Sequence, residues 1–282
     1  MADVMMRFDK GLCAFMTKDE MKTKAPYIFA DKPTNGGVSE RYTMASTETV
    51  IDDMAKLGWG VTDCKQQRAN KRSNIRSFHM VSLQNPNVYI EENGEIVAYP
   101  RIILTNSHDG FHSFKFMIGV FRLCCSNGLV IATQEFANVA IRHINYDFEE
   151  LRKVVAQAVE ATKKNVEVMN VMQKTELSEE QKADFATKAV AIRKGIKENE
   201  KKPILSDDEV KEILEPVRKE DEGNDLWSVY NVLQEKMMKG DFHFGKTKLG
   251  KNRKARPITG AAKDIEVNQR LFETASSYLL AA

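Results

Sequence analysis

The chain has 282 residues, 42 Lys and Arg against 40 Asp and Glu, a formal net charge of +2 and 42% hydrophobic residues. That balance excludes a wholly disordered chain, and the near-neutral average excludes attraction of a polyanion by bulk charge, so only clustered cations can hold one. No apolar run approaches the ~18 residues of a membrane span, and the start, MADVMMRFDK, has no apolar h-region, so a cytoplasmic protein without a membrane partner is expected.

Residues 1–40 read as an irregular lead, punctuated by Pro26, Pro33 and Asn35-Gly36-Gly37. The first helix is expected over 46–57: Ser46 caps it, Val50, Ile51, Met54 and Leu57 form one stripe, and Gly58 supplies a left-handed stop before Trp59. Residues 59–121 carry strand patterns at 75–83, 97–105 and 113–121. In the last, Phe114, Phe116, Ile118 and Val120 alternate with Ser113, Lys115, Met117 and Gly119. Pro100 suggests an edge or a bulge, and Glu92-Asn93-Gly94-Glu95 and Asp109-Gly110 are turn signals that favour antiparallel pairing.

From about 147 the period becomes helical. Leu151, Val155, Ala158, Thr162, Val166 and Met169 run down one long helix. Ser178 with Gln181 and Ser206 with Glu209 are capping-box patterns that open two more. Leu226, Val229, Tyr230, Leu233 and Met237 define a fourth helix, closed by Gly240, and the last spans roughly 264–280. The expectation is an α+β protein: an irregular lead (1–40), a mainly antiparallel sheet domain with a flanking helix (41–146) and a helical region (147–282). The stretch 176–222 carries 14 acidic and 10 basic residues, the pattern of solvated helix faces.

Two cation clusters stand out. Lys65, Arg68, Lys71, Arg72 and Arg76 occupy twelve positions with no acid among them; Lys246, Lys248, Lys251, Arg253, Lys254 and Arg256 occupy eleven, again with none. Several cations free to meet one polyanion release its counterions, which is where phosphate affinity largely comes from. The first cluster reads as a hairpin finger flanked by Trp59 and Phe78, rings that could stack on unpaired bases; the second, with Gly245 and Gly250, reads as a flexible loop. The bland alternative for both is solvated surface.

The most polar island among the strands is Thr105 to His112, which includes Asn106, Ser107, His108, Asp109 and Gly110. A tight turn whose Asn, Ser and Asp side chains bond to backbone groups accounts for it. His108, His112, Cys124, Cys125 and His143 could gather around zinc, but the long gaps between them match no zinc pattern, and no spacing supports a Cys-His nucleophile, so neither a metal nor another cofactor is expected. The four cysteines, Cys13, Cys64, Cys124 and Cys125, form no CxxC pair.

Three segments together carry a resemblance: Ile102–Gly110 (IILTNSHDG), Phe121–Leu129 (FRLCCSNGL) and Ile141-Arg142-His143. In this order they resemble the domain of unknown function 932 family, with its phage/plasmid-like proteins, whose pattern is a TNSHDG turn, an RVVCxNxL strand end and an irH before a long helix. Asn106, His108, Asp109, Gly110, Arg122, Cys125, Asn127 and His143 are the positions that match. Trp227 and Asn231 are similar to a further W-x-x-x-N helix of the family. Leu123-Cys124 stands where β-branched residues are usual, which keeps the position apolar. The resemblance implies a phage or mobile-element setting and a cytoplasmic site of action, but no activity. A fainter similarity, in the order helix, Gly58-Trp59, antiparallel strands and basic hairpin, is to phage single-strand annealing proteins.

These readings lead to a non-enzymatic nucleic-acid-binding accessory protein for single-stranded DNA, in annealing or recombination, a role that admits a homo-oligomer. Lys65, Arg68, Lys71, Arg72 and Arg76 would hold phosphates with Lys251, Arg253, Lys254 and Arg256, while Trp59 and Phe78 stack on bases. A second reading is a protein-interaction module acting on a host or phage partner through the acidic helices of 176–222. A third, an enzyme built on His108, His143 and Cys125, has the least behind it.

Overall fold

The structure is a computed structural model that describes residues 14–34, 44, 46–67, 77–92, 95–109, 114–122, 129–131, 147–197, 199–246 and 252–279. It is α+β, and the chain divides into two compact units: residues 1–164 with 260–262, and residues 165–259 with 263–282.

The first unit opens with a helix that the irregular-lead reading did not contain. In α1 (Lys18–Lys24) the Thr17 hydroxyl accepts from the Glu20 N–H, and the Glu20 carboxylate accepts from the Thr17 N–H. A 3-10 turn, Pro26–Phe29, follows. Met21, Ala25 and Ile28 are buried in the main core, so apolar packing holds this lead down. α2 (Thr47–Lys56) is capped by Ser46 and buries Val50, Ile51 and Met54. It ends in a Schellman pair, in which the Gly58 N–H bonds to the Ala55 carbonyl and the Trp59 N–H to that of Met54, with Gly58 at φ +84°.

Among the described residues the sheet has six strands: β1 (Gly60–Gln66), β2 (His79–Gln84), β3 (Ile90–Glu92), β4 (Glu95–Asn106), β5 (Lys115–Arg122) and β6 (Leu129–Ile131). Its order is β1-β2-β4-β5-β6, with β3 also on β4, and every pairing is antiparallel. β5 pairs along its whole length with Ala98–Thr105 of β4, while the other edge of β4 is shared, β3 reaching to Ala98 and β2 starting at Ile102. Pro100 falls in the gap between those two partners, where a strand that lacks an N–H loses least. Phe114 and Phe116 enter the core beside Ile102 and Leu104. Leu151, Val154 and Val155, near the start of α3 (Phe148–Gln173), complete it with α2.

The second unit is built around α6 (Leu226–Lys239), which is buried on nearly every face. Trp227 stacks on Tyr230 at 5.6 Å, and Tyr230 meets Phe272 of α7 (Ala261–Leu279) edge-on at 5.9 Å. The Asn231 side chain donates to the Trp227 carbonyl at 2.7 Å, so the spacing of Trp227 and Asn231 is one helical turn closed on itself. α4 (Glu179–Lys194) and α5 (Asp207–Leu214) start at the two expected capping boxes. The stretch expected as a flexible loop contains a short hairpin, β7 (His243–Lys246) against β8 (Asn252–Lys254), with Gly245 at φ +62°.

Neighbouring positions on β5 test the core assignment. Phe116→Ala should lower unfolding stability by ~3–5 kcal/mol, whereas exposed Lys115→Gln should stay within ~0.5 kcal/mol. Denaturant melts check this, and equal effects would refute the assignment of faces.

Candidate nucleic-acid interface and a buried histidine knot

The β7–β8 hairpin is gripped from one side by acids of α5. One Glu212 oxygen accepts from the His243 N–H at 3.1 Å, the other lies 3.0 Å from His243 Nδ1, and Glu209 accepts from the Gly245 N–H. α5 thus supplies two acceptors to β7. The pairing of the two arms continues past His243, where the Asp241 N–H donates to the Ala255 carbonyl and the Ala255 N–H donates to that of Phe242. Gly240 turns the chain into this arrangement at φ +75°, and a Cβ there would stand 2.8 Å from the Ala255 carbonyl oxygen, so only glycine fits.

With the hairpin held in this way, Lys194, Lys239, Arg253, Lys254 and Arg256 line one open groove of about 1160 Å³ with a single carboxylate, Asp241. All five cations are exposed. Lys254 pairs with Asp241 and Lys239 with Glu235; no ion pair among the described residues engages Lys194, Arg253 or Arg256. The hydrogen bond that Lys254 donates to the Asp241 carboxylate raises the Lys254 pKa and lowers that of Asp241. Arg193, half-buried behind the groove with its pKa lowered by desolvation, donates to the Arg256 carbonyl and lies 5.8 Å from the Phe242 ring centre.

Three expected phosphate contacts, Arg253, Lys254 and Arg256, are therefore brought together. Lys251 lies outside the described residues, as do Arg68, Lys71, Arg72 and Arg76. Lys65 is described on β1 and is partly buried. The expected stacking rings require correction: Trp59 is 3% exposed and Phe78 6%, and Trp59 belongs to the main core, so neither offers a face to a base. Lys194 and Lys239 went unseen in the sequence, although each is the last residue of its helix and directly precedes a glycine.

The family-motif turn forms a separate site in the first unit. His79 pairs with Asn106 across β2 and β4, and Thr47 of α2 sits between them. His79 Nδ1 lies 2.7 Å from the Ser77 carbonyl, which can only accept, so Nδ1 carries the proton. Nε2 of the neutral ring then accepts from the Thr47 hydroxyl at 2.8 Å, while the Asn106 amide donates to that same oxygen at 2.9 Å. Ser107 donates to Asp109 at 2.7 Å, the His108 N–H donates to the Ser77 hydroxyl at 3.0 Å, and the Thr34 N–H donates to the His108 carbonyl at 2.7 Å. The His79 and His108 rings lie 5.0 Å apart. Desolvation first, and His108 second, pull the His79 pKa down to about 3 against the opposing Ser77 carbonyl and Asp109.

Thr47, Ser77, His79, Asn106, His108 and Asp109 are all buried. Asn106 and Asp109 accept from the backbone N–H groups of Ser107 and Ser77, as the tight-turn reading expects, whereas the Ser107 hydroxyl goes to the Asp109 carboxylate, and the wider network that ties α2, β2 and the end of β4 together lies outside that reading. Arg122 ends β5 opposite Ala98. Gly110, His112, Cys124, Cys125, Asn127 and His143 lie outside the described residues, and among the described ones no three His, Cys, Asp or Glu side chains gather as metal ligands. Among them, too, no helix is long and apolar enough to cross a membrane.

The fold and its two sites define an α+β protein with a six-stranded antiparallel sheet, a buried TNSHD knot and a separate helical unit bearing a cationic groove. Residues 35–272 match the family described as Domain of unknown function (DUF932), and the chain belongs to it. It is similar to two Escherichia coli (strain K12) proteins, UPF0380 protein YfjQ (27% identical) and UPF0380 protein YafZ (28%), each alignment covering 94% of this chain and 92% of the relative. No solved structure gives a significant match.

The knot has a pH signature. Unfolded His79 takes a proton near its ordinary value of 6.5, the folded one only near 3, so the stability it contributes is complete above pH 6.5 and is lost as pH falls towards 3. The slope is about 1.4 kcal/mol per pH unit. Urea midpoints from pH 7 to pH 4 should show this limb in the native chain and show it flattened by one proton in His79→Asn; identical limbs would mean that His79 is not held neutral.

Proposed function

We propose that this chain is a non-enzymatic nucleic-acid-binding accessory protein of a phage or mobile element. It works in the cytoplasm, where it binds single-stranded DNA during annealing or recombination. The observation that carries the reading is the convergence of Lys194, Lys239, Arg253, Lys254 and Arg256 on one groove in a chain whose net charge is only +2. Cations gathered in this way suit a chain of phosphates, and a hairpin held by the α5 acids keeps its backbone in place when the strand leaves.

A second reading, a module that binds a host or phage protein, is favoured by a cavity of about 920 Å³ beside α5. Glu179, Asp207, Glu215 and Glu222 stand around its apolar residues Val210, Leu214, Val229 and Val232, and exposed Val217 follows α5. A basic amphipathic segment is the partner this surface suits.

Salt titration distinguishes the two. Three to five neutralised phosphates predict that log affinity for a labelled oligothymidylate falls against log salt with a slope of roughly −2 to −3.5. The double substitution Arg253→Glu, Arg256→Glu should weaken binding at least tenfold and flatten that slope. The absence of binding by the native protein at 50 mM salt would end the nucleic-acid reading.

A further inference from the structure

We infer that Phe244 is a base-stacking platform that makes the cationic groove select unpaired strands over duplex, an inference that rests on the nucleic-acid reading above. Phe244 is the aromatic residue that lines the groove with the five cations, and it is partly exposed. Its neighbour Phe242 is fully buried, with the two ring centres 5.7 Å apart at 45°, so the exposed ring is backed by a fixed one. The backbone on either side is also fixed. The His243 and Gly245 N–H groups are taken by Glu212 and Glu209, and the hairpin pairs His243 with Lys254.

Core packing explains Phe242 but not a partly exposed phenylalanine among lysines and arginines. The Lys194 ammonium stands over the Phe244 ring at 5.7 Å, a weak contact where water reaches both groups. An incoming base can displace it, and the released ammonium then meets a phosphate of the same strand. Aromatic stacking adds affinity for each base and tolerates any sequence because every base has a π-face. Inside a duplex those faces are covered, so the ring adds affinity only for unpaired nucleotides, whereas the cations serve both forms.

The test uses the full-length chain with three probes of about 20 units: oligothymidylate, the same backbone carrying abasic sites, and a duplex. Phe244→Ala should lower oligothymidylate affinity about tenfold while leaving abasic and duplex binding and the salt slope unchanged. Phe244→Trp should retain affinity, and its added fluorescence should be quenched by oligothymidylate and not by the abasic strand, against Trp59 and Trp227, which are both buried. If Phe244→Ala binds oligothymidylate like the native chain, or weakens equally on the abasic strand, the stacking role is overturned and the phosphate groove stands. If the native chain binds none of the probes, the groove reading falls and this inference falls with it.

Discussion

Carboxylates of α5 that accept backbone N–H groups of β7 are the interaction on which the second unit's surface depends. Glu209 and Glu212 are distant in sequence from the cationic stretch but stand beside it in the fold, where simple pairing would have neutralised it. Instead they hold Gly245 and His243, and the hairpin's arginines are left to line a groove with the terminal lysines of α4 and α6. A protein with almost equal numbers of acids and bases acquires a directed field only by such segregation. The hairpin thus joins two surfaces of opposite sign, the cationic groove and the acidic cavity beside α5.

In the first unit the organising contact is a hydroxyl. Thr47 accepts from Asn106 and donates to His79, whose other nitrogen is committed to the Ser77 carbonyl. Every member of that chain is buried, so loss of one leaves others without partners at a cost of roughly 1–3 kcal/mol each. The TNSHD residues fasten a helix start to two strand ends, and the His79 ring beside them is held neutral.

Much of this was legible from local rules. Ser46, Ser178 with Gln181 and Ser206 with Glu209 cap the helices they were expected to cap, and Gly58 and Gly240 end theirs at positive φ. The alternation at Phe114 and Phe116 gave the buried face of β5, and Pro100 marked the change of partner beside β4. α1 was missed because prolines and glycines drew attention from the Thr17–Glu20 box. β7 and β8 were missed because runs of four and three residues, mostly charged, carry no period. Stacking was assigned to the wrong rings for a different reason: whether an aromatic faces solvent is decided by tertiary packing, and Trp59 beside a basic stretch looks the same in sequence whether buried or presented. Lys194 and Lys239 join Arg253 only through the fold, since helix ends distant in sequence meet there.

The most direct test of the account is photocrosslinking of a 4-thiothymidine-substituted single strand to the full-length protein, with the adducts mapped by mass spectrometry. The account predicts adducts in the segment 239–257, with Phe244 among the modified residues. Adducts confined to other parts of the chain, under conditions where the strand is bound, would contradict it.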